Sequence, residues 1–307
     1  MFLSQITPAT TAADQFQDLG DLIETCAAAI RAGTLTPARL SDLMSTAFGG
    51  SDASGAWVWR QAYDVMEAAG LRVACEGVRA LGFEARGAGI TREVAFAQIS
   101  ALQAGLITQT RRSEAQVMLQ QFSTPLDLAY LVARAAAPRA GDEVLEPSCG
   151  NGLLAGMVQA LCAGEITLVA NERDPFRAAL AKIGLGAEVT SHDAEFIDDH
   201  LALGINPSLV VMNPPFSSSE ARSADPTIAL RHAVSAAKRL ASGGRFVAIL
   251  PMGATNIRQS AWRMKLLKLI EVEICIGLPD AVFAKMGATV STLMVCLLYT
   301  SPSPRDS

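Results

Sequence analysis

Histidine and cysteine, the residues that build most zinc sites and disulfide frameworks, are sparse in this chain. The three histidines stand at positions 192, 200 and 232, and none of the six cysteines forms a Cys-x-x-Cys pair. This spacing argues against a zinc site and against a disulfide framework. We therefore expect a reduced chain in the cytoplasm, with no metal ion.

Long apolar runs and an excess of positive charge are also lacking. No stretch approaches the ~18–20 apolar residues of a membrane-spanning helix, and the first five residues do not resemble a secretory signal. The 25 basic and 30 acidic residues give a formal net charge of −5. These features predict no membrane partner and exclude a polybasic nucleic-acid coat protein, but they leave open an enzyme with a local basic cleft.

The 307 residues, half of them apolar, can bury a sizeable core in one large or two small domains. Residues 1–117 contain no lysine, nine arginines and twelve acidic residues. Apolar residues recur there at helical spacing over 14–32, 56–81 and 91–119. We interpret 1–117 as a helical N-terminal domain for packing or docking, without a catalytic constellation.

Residues 118–295 show a different pattern, in which short apolar runs alternate with helical stretches. Helical patterns cover 152–162, 175–183 and 226–241, and the strand candidates are 143–145, 166–170, 188–191, 209–212, 245–250, 272–276 and 292–296. This alternation predicts an α/β fold with a seven-stranded, doubly wound, mostly parallel sheet. The loop between the last two strands is too short for a crossover helix, so we expect them to pair antiparallel at the sheet edge. Such sheets bind ligands at the carboxyl ends of their strands.

A glycine turn follows the first predicted strand, in the segment Glu146-Pro147-Ser148-Cys149-Gly150-Asn151-Gly152. Gly150 and Gly152 let the backbone approach a ligand closely and adopt positive φ. The third glycine of a dinucleotide fingerprint is missing, and the Glu146 carboxylate stands where a pyrophosphate would lie. That charge suits a cationic group, such as the amine or sulfonium of S-adenosylmethionine. A Gly-x-Gly turn by itself also fits an ordinary strand-to-helix connection.

Single carboxylates follow the next two predicted strands. Glu172, about 20 residues after the first glycine of the turn, is placed to accept hydrogen bonds from both hydroxyls of a ribose. Asp193 is placed to accept from the exocyclic amine of an adenine, with Ala194 beside it and Phe196 as an apolar wall. Each carboxylate has a plainer interpretation, as a solvated loop acid at 172 and as a helix N-cap at 193.

The segment Asn213-Pro214-Pro215-Phe216 follows the fourth predicted strand and is the most specific of these motifs. Each proline fixes φ at about −65° and lacks an N–H, so the loop is rigid. Rigidity positions the Asn213 side-chain oxygen and the Pro214 carbonyl as two acceptors beside the Phe216 ring. Two hydrogen-bond acceptors beside a ring face can bind a planar amine through hydrogen bonds and stacking. A purely structural Pro-Pro turn is the alternative.

Together these motifs resemble those of the S-adenosylmethionine-dependent methyltransferases that modify adenine N6 in DNA. The loop at 213–216 is similar to that family's catalytic Asn/Asp-Pro-Pro-Phe/Tyr/Trp motif, and the segment 146–152 is similar to its cofactor loop. The segment Phe122-Ser123-Thr124-Pro125 resembles the Phe-x-Thr-Pro element, which caps the methionine end of the cofactor. The order of the motifs is similar to the gamma group, which implies a Rossmann-like class I fold and a C-terminal recognition domain.

The resemblance implies two sets of site residues. The catalytic residues would be Asn213, Pro214, Pro215 and Phe216. The residues that bind S-adenosyl-L-methionine would be Phe122, Thr124, Pro125, Glu146, Pro147, Ser148, Gly150, Gly152, Glu172, Asp193, Ala194 and Asn213. DNA is the implied partner, and restriction-modification is the implied context.

The chain as a whole, including 278–283, also resembles methylase regions fused to strawberry-notch-type helicases of plasmids and phages. Candidate phosphate contacts after the fifth predicted strand are Arg258, Arg263, Lys265 and Lys268, with Trp262 among them. A solvated face of an amphipathic helix is the alternative for this segment. The serine run 217–219 is expected to order around substrate.

Other functions remain open from the motifs alone. An RNA methyltransferase acting on the guanine amine and a protein glutamine methyltransferase both present a planar nitrogen to a similar loop. The N4 amine of cytosine is a further possible methyl acceptor, although the loop more often begins with Ser or Thr in such enzymes. A catalytically silent cofactor-binding module inside a helicase-like polypeptide belongs to a different class. The segments 146–152 and 122–125 favour DNA adenine.

Residues 296–307, which begin Cys-Leu-Leu-Tyr-Thr-Ser-Pro, resemble a translated transposon-type sequencing adapter. We therefore interpret them as a non-native tail. The natural protein is then expected to continue, with a recognition or helicase region beyond the join.

Overall fold

One mixed sheet of seven strands organises the described part of the chain. The computed structural model describes residues 12–81, 89–110, 122–216, 225, 227–255, 260–287 and 290–299. The strands are β1 (Glu143–Glu146), β2 (Thr167–Asn171), β3 (Val189–Thr190), β4 (Leu209–Met212), β5 (Arg245–Pro251), β6 (Ile270–Gly277) and β7 (Thr292–Tyr299). Their order in the sheet is β3-β2-β1-β4-β5-β7-β6. The first five are parallel, whereas β7 is antiparallel to both β5 and β6.

This sheet confirms the predicted fold class and the antiparallel edge. Every predicted strand is present, although several begin or end at other residues than expected. In β4, Leu209 and Val211 contact the hydrophobic cluster on one face of the sheet, and Val210 and Met212 contact the cluster on the other. A strand buried on both faces is an unbroken apolar run, which is why the sequence located these strands.

Helices cover both faces of the sheet. They are α1 (Ala12–Arg31), α2 (Pro37–Phe48), α3 (Trp59–Ala80), α4 (Gly89–Gly105), α5 (Leu126–Ala136), α6 (Leu153–Leu161), α7 (Pro175–Leu185), α8 (Ile197–His200), α9 (Ile228–Ala237) and α10 (Ser260–Leu267). Helical periodicity did not reveal α2. Its ends carry the signals that could have found it, because Thr36 caps its first turn and Gly49 ends it in the left-handed conformation.

Within the helix predicted over 91–119, α4 ends at Gly105, and residues 111–119 lie outside the described part of the chain. Lys285, far along the chain, donates from Nζ to the carbonyls of Ala104 at 2.6 Å and Leu106 at 2.9 Å. A cation on the last carbonyls stabilises a helix C-terminus. The helix end therefore depends on a long-range contact that the local pattern does not contain.

The N-terminal helices pack on helices that cover the sheet: α3 packs on α6 and α7, and α4 packs on α5. A Cβ on Gly156 of α6 would lie 2.8 Å from Leu71 Cδ2 of α3, so a glycine permits the close crossing of these helices. Buried side chains of α1 to α5 and one face of β1, β4 and β5 form one hydrophobic cluster. The helical region and the sheet thus share a core. The proposed boundary near residue 117 lies outside the described residues.

Strand β7 continues past residue 295, where we placed the end of the sheet domain. Cys296 pairs with Val247 and Leu297 pairs with Phe246, and both of these β7 side chains are buried. Residues 296–299 of the segment interpreted as a tail are therefore part of the sheet, while 300–307 lie outside the described residues. The non-native origin of the segment stays a prediction.

Candidate active site

A cavity of about 350 Å³ lies at the carboxyl ends of the parallel strands, a size typical of small-molecule sites. The predicted site residues in its wall are Phe122, Thr124, Glu146, Pro147, Ser148, Gly150, Glu172, Asp193, Ala194, Asn213, Pro214, Pro215 and Phe216. The motifs at the ends of four strands, together with the 122–125 segment, therefore meet at one site.

Three predicted residues are absent from the described wall. Pro125 is the N-cap of α5, and Gly152 is the N-cap of α6 with a φ of 81°. Both can act on the cavity only through the backbone that they position. The prediction of Phe196 as an apolar wall was wrong, because this residue ends the 3₁₀ turn Ala194–Phe196 and is 49% exposed.

Backbone amides of the glycine turn are held by the next strand end. Gly150 adopts a φ of 56° and donates its N–H to Glu172 Oε2 at 2.7 Å. The other carboxylate oxygen, Oε1, accepts from the Asp174 N–H at 2.8 Å. Each carboxylate oxygen has two lone pairs. Glu172 therefore orders the turn and still has acceptor capacity for a ligand.

Asn171 joins three strand ends and was missed in the sequence. Its Nδ2 donates to the carbonyls of Pro147 at 2.9 Å and His192 at 3.0 Å, and its Oδ1 accepts from the His192 N–H at 2.7 Å. The residue is 1% exposed. A buried asparagine at the end of a strand is the signal that could have found it.

Asp193 caps a short turn and lines the cavity. Its Oδ1 accepts from the Glu195 N–H at 3.0 Å, which caps the short 3₁₀ turn. The side chain is 45% exposed and lines the cavity. The structural role as an N-cap is thus present, and the carboxylate is also available to a ligand.

Glu146 brings a buried carboxyl group to the end of β1. Its Oε2 accepts from the Ala155 N–H in the first turn of α6 at 2.7 Å. Burial raises the pKa of Glu146 well above its ordinary value, and the bond from Ala155 opposes this rise. A cationic ligand group nearby would offset the cost of the buried charge.

Asn213 presents an unpaired acceptor. Its Nδ2 donates to the Phe122 carbonyl at 3.1 Å and to Thr124 Oγ1 at 3.0 Å. A backbone carbonyl can only accept, so this contact fixes which way the amide points. Within the described residues, the buried Oδ1 has no hydrogen-bond partner. Buried polar atoms are nearly always paired, so an unpaired one in a cavity wall indicates a place for a donor.

Phe216 belongs to an aromatic cluster with Phe122 and Phe283. Its ring centroid lies 6.3 Å from that of Phe122 and 5.8 Å from that of Phe283, the latter edge-on. Phe216 lines the cavity but is only 4% exposed. Phe283 lies in the segment 278–283, so this segment of the helicase-type resemblance contacts the loop at 213–216.

Four buried polar residues beneath the glycine turn were missed as a group. Asn151 Nδ2 donates to Asp64 Oδ1 at 3.0 Å and to Glu67 Oε2 at 2.6 Å, and Arg177 Nε lies 3.4 Å from Asp64 Oδ1. Burial raises the pKa of both the Asp64 and the Glu67 carboxyls, and the charge of Arg177 opposes this rise. Two acids of α3 thus support the glycine turn, so the N-terminal half contributes polar contacts beneath the cavity that its helical pattern did not reveal.

Replacing Glu67 with glutamine is expected to change how stability depends on pH. A carboxyl whose pKa is raised on folding costs stability as the pH rises from the ordinary carboxyl range, about 4.3, towards its folded value. The unfolding free energy of Glu67→Gln should therefore increase relative to wild type between pH 4 and neutrality, by on the order of 1–3 kcal/mol. Urea unfolding across this range measures the difference.

The matched control is Glu188→Gln, because the Glu188 side chain is 82% exposed. Its pH profile should follow that of wild type. A Glu67→Gln profile parallel to wild type would show that Glu67 titrates at its ordinary pKa and would contradict the burial argument.

The candidate phosphate contacts are absent from the described cavity wall. Lys265 Nζ lies 3.8 Å from the centroid of the Trp262 ring, and Arg263 donates to the Thr255 carbonyl. Arg258 and the serine run 217–219 lie outside the described residues. A role of this segment in DNA binding stays a prediction.

The described ranges contain no group of three or more His, Cys, Asp and Glu side chains that could hold a metal ion. Within the same ranges, no helix has the length and hydropathy needed to cross a membrane.

Comparison with known proteins gives one family match. Residues 126–257 match the Methyltransferase small domain. This match and the fold support an S-adenosylmethionine-dependent methyltransferase domain, with S-adenosylmethionine as its cofactor. The wall fits this ligand, because Glu172 and Asp193 offer acceptors for hydroxyl and amine groups and Glu146 offers a buried carboxyl group to a cationic end.

A similar curated protein is the ribosomal RNA small subunit methyltransferase A of Methylobacterium radiotolerans. It is 40% identical over 105 residues, which are 32% of this chain and 35% of that protein. The chain thus spans about a third of this relative.

Two solved structures share the fold. One, from Vibrio vulnificus, is assigned as the modification subunit of a type I restriction enzyme and has a TM-score of 0.51 at 15% identity, over 69% of this chain and 49% of that one. The other, from Listeria monocytogenes, is assigned as a class I S-adenosylmethionine-dependent methyltransferase and has a TM-score of 0.52 at 12% identity, over 94% of this chain and 89% of that one.

Proposed function

We propose that the protein transfers a methyl group from S-adenosylmethionine to the N6 amine of adenine in DNA. The observation that carries this proposal is the unpaired, buried Oδ1 of Asn213 in the cavity wall. An exocyclic amine is the donor that this acceptor lacks, and the rigid Asn213-Pro214-Pro215-Phe216 loop keeps the oxygen in place.

Asn213 and Pro214 supply the acceptors for the reaction. The lone pair of the adenine amine is delocalised into the ring, so the amine is a weak nucleophile. Hydrogen bonds to Asn213 Oδ1 and to the Pro214 carbonyl would favour a pyramidal nitrogen and stabilise the positive charge that develops on it. The cofactor, when bound, supplies an electrophilic methyl group on its sulfonium.

Cofactor binding is proposed to use the remaining wall. Glu172 would accept from the ribose hydroxyls, Asp193 would accept from the adenine amine, and Glu146 would lie near the cationic end. The hydrogen bonds of Asn213 to Phe122 and Thr124 join the catalytic loop to the proposed cap of the methionine end. The main contribution expected of the protein is that these elements position the methyl donor against the methyl acceptor.

The target base would have to leave a DNA duplex, at a cost of about a few kcal/mol. Phe216 is proposed to stack on the extruded base, a contact worth about 1–3 kcal/mol. In the aromatic cluster the ring is packed edge-on against Phe283, so stacking requires it to present its cavity side or to turn. The restriction-modification context of the Vibrio structure supports DNA as the acceptor. A recognition or helicase-like region outside this chain belongs to the same proposal.

An RNA acceptor is the second candidate. It is favoured by the 40% identity to a ribosomal RNA methyltransferase over 105 residues. The acceptors of the Asn213 loop serve a planar amine in either polymer.

The experiment that separates these acceptors supplies labelled S-adenosylmethionine together with unmethylated genomic DNA, total RNA and a protein extract. Label in the DNA fraction, removed by a DNase and not by an RNase or a protease, is expected. Label confined to RNA would promote the second candidate, and label in protein would contradict both.

A further inference from the structure

Arg177 places a buried guanidinium in the cavity wall, directly against the glycine turn. A Cβ built on Gly150 would lie 2.4 Å from Arg177 Nη2. The same Nη2 donates to Ser123 Oγ at 2.9 Å. The cation therefore lies between the cofactor loop and the segment 122–125.

The contacts of Arg177 leave part of its guanidinium without a protein partner. Nε lies 3.4 Å from Asp64 Oδ1 and 3.4 Å from Asn151 Oδ1, both long distances. Among the side chains and carbonyls that the structure describes, Nη1 has no hydrogen-bond partner. A guanidinium has five N–H donors, so donors remain for an anion.

Arg177 also keeps its charge. Burial alone would lower the pKa of the guanidinium, but the carboxylates of Asp64 and Glu172 raise it. The result is a permanent cation at a position 8% exposed. An anion that reaches it gains a charge-assisted hydrogen bond.

The other cations in the wall are engaged or exposed. Arg231 makes ion pairs with two carboxylates. Arg173 is 69% exposed, and Arg60 lies 3.3 Å from Asp174. Arg177 is therefore the cation in this wall that combines burial with contact to the glycine turn.

We propose that Arg177 binds the α-carboxylate of the methionine moiety of S-adenosylmethionine, and that Asp64 and Asn151 hold its guanidinium in place. S-adenosylmethionine carries one carboxylate beside its ammonium and sulfonium cations, and the wall is otherwise rich in acids. The proposal rests on the cofactor site described above. It does not depend on which polymer accepts the methyl group.

The test compares binding in the wild type and in an Arg177 variant, each measured with a ligand that has the carboxylate and one that lacks it. The ligands are S-adenosylhomocysteine and its decarboxylated analogue, which keeps the amine. Calorimetry with wild type should show the analogue binding roughly 10- to 100-fold more weakly. In Arg177→Met, the affinity for S-adenosylhomocysteine should fall by a similar factor, while the affinity for the analogue should change little. The ratio of the two affinities should therefore fall towards one.

A second variant keeps the test valid if Arg177→Met folds poorly, because loss of Arg177 leaves Asp64 buried and uncompensated. The double variant Asp64→Asn/Arg177→Met removes both charges and should show the same collapse of the affinity ratio. Arg72→Met is the control, since it removes an arginine whose side chain is 48% exposed and absent from the described cavity wall, and it should retain the wild-type ratio.

Two outcomes would overturn the proposal. An affinity ratio that survives in both Arg177 variants would show that the arginine only supports the fold. A ratio that collapses equally in Arg72→Met would show that the loss does not depend on an arginine in the cavity wall. Since no methyl acceptor is present in the assay, failure of the DNA proposal would leave these affinities unchanged.

Discussion

Replacement of Asn213 with alanine is expected to lower the rate of methyl transfer by about 10²- to 10³-fold at saturating cofactor, the usual effect of removing one preorganised polar group that stabilises transition-state charge. The substitution removes the unpaired Oδ1, which would accept from the target amine. It also removes the hydrogen bonds to Phe122 and Thr124. Cofactor affinity should therefore fall as well, but only several-fold. Single-turnover kinetics and calorimetry measure the two effects separately.

Asn206→Ala provides the control for this experiment. Asn206 is an exposed asparagine whose side chain donates to the Gly204 carbonyl, and it is absent from the described cavity wall. Its transfer rate should equal that of wild type. If Asn213→Ala lost cofactor affinity by the same factor as rate, the residue would serve to hold the cofactor cap and not the acceptor amine.

Replacement of Gly150 with alanine is expected to weaken cofactor binding at least 10-fold and to lower the free energy of unfolding by about 1–3 kcal/mol. Its φ of 56° costs an L-residue about 1–2 kcal/mol. The added Cβ would also lie 2.4 Å from Arg177 Nη2 and displace that side chain from its buried contacts. Chemical denaturation and calorimetry with S-adenosylhomocysteine measure both effects.

Gly184→Ala is the matched control, because Gly184 lies in α7 and a Cβ there would meet no atom within 4 Å. Alanine at an open helical site should be neutral or should stabilise the fold by up to about 1 kcal/mol. If Gly150→Ala behaved in the same way, the close approach of Arg177 to the turn would not matter for cofactor binding.

The strands and the strand-end motifs were predictable because their signals are local. β4 is an apolar run buried on both faces, and the loop at Asn213 follows it directly. Strands in a parallel sheet bring their carboxyl ends to one edge. For that reason Glu146, Glu172 and Asn213, distant in sequence, could be placed at one site before the structure was known.

The support beneath the glycine turn was not predictable in this way. Asp64 and Glu67 lie on α3, and their partners Asn151 and Arg177 come more than 80 residues later. No local period links such positions. Two acids on the buried face of an apolar helix are still a signal, since buried charges need partners.

The direction of an aromatic side chain was not predictable where the chain forms a short turn. Phe196 follows the predicted Asp193 by three residues, but a 3₁₀ turn sends its ring to solvent. The sequence pattern indicated an apolar residue near Asp193, but it did not predict the 3₁₀ turn that sets the direction of the ring. The contact between Phe283 and Phe216 was missed. Phe283 lies in the segment 278–283, for which the sequence suggested a resemblance but no position in the fold.

The most direct test of the proposed activity is to identify the methylated nucleoside. Unmethylated genomic DNA is incubated with the protein and labelled S-adenosylmethionine, digested to nucleosides and separated by chromatography with mass detection. N6-methyldeoxyadenosine in the wild-type reaction, and none above background with Asn213→Ala, is the predicted result. Label on another base, or DNA without label beside labelled RNA or protein, would contradict the proposal of DNA adenine N6 methylation.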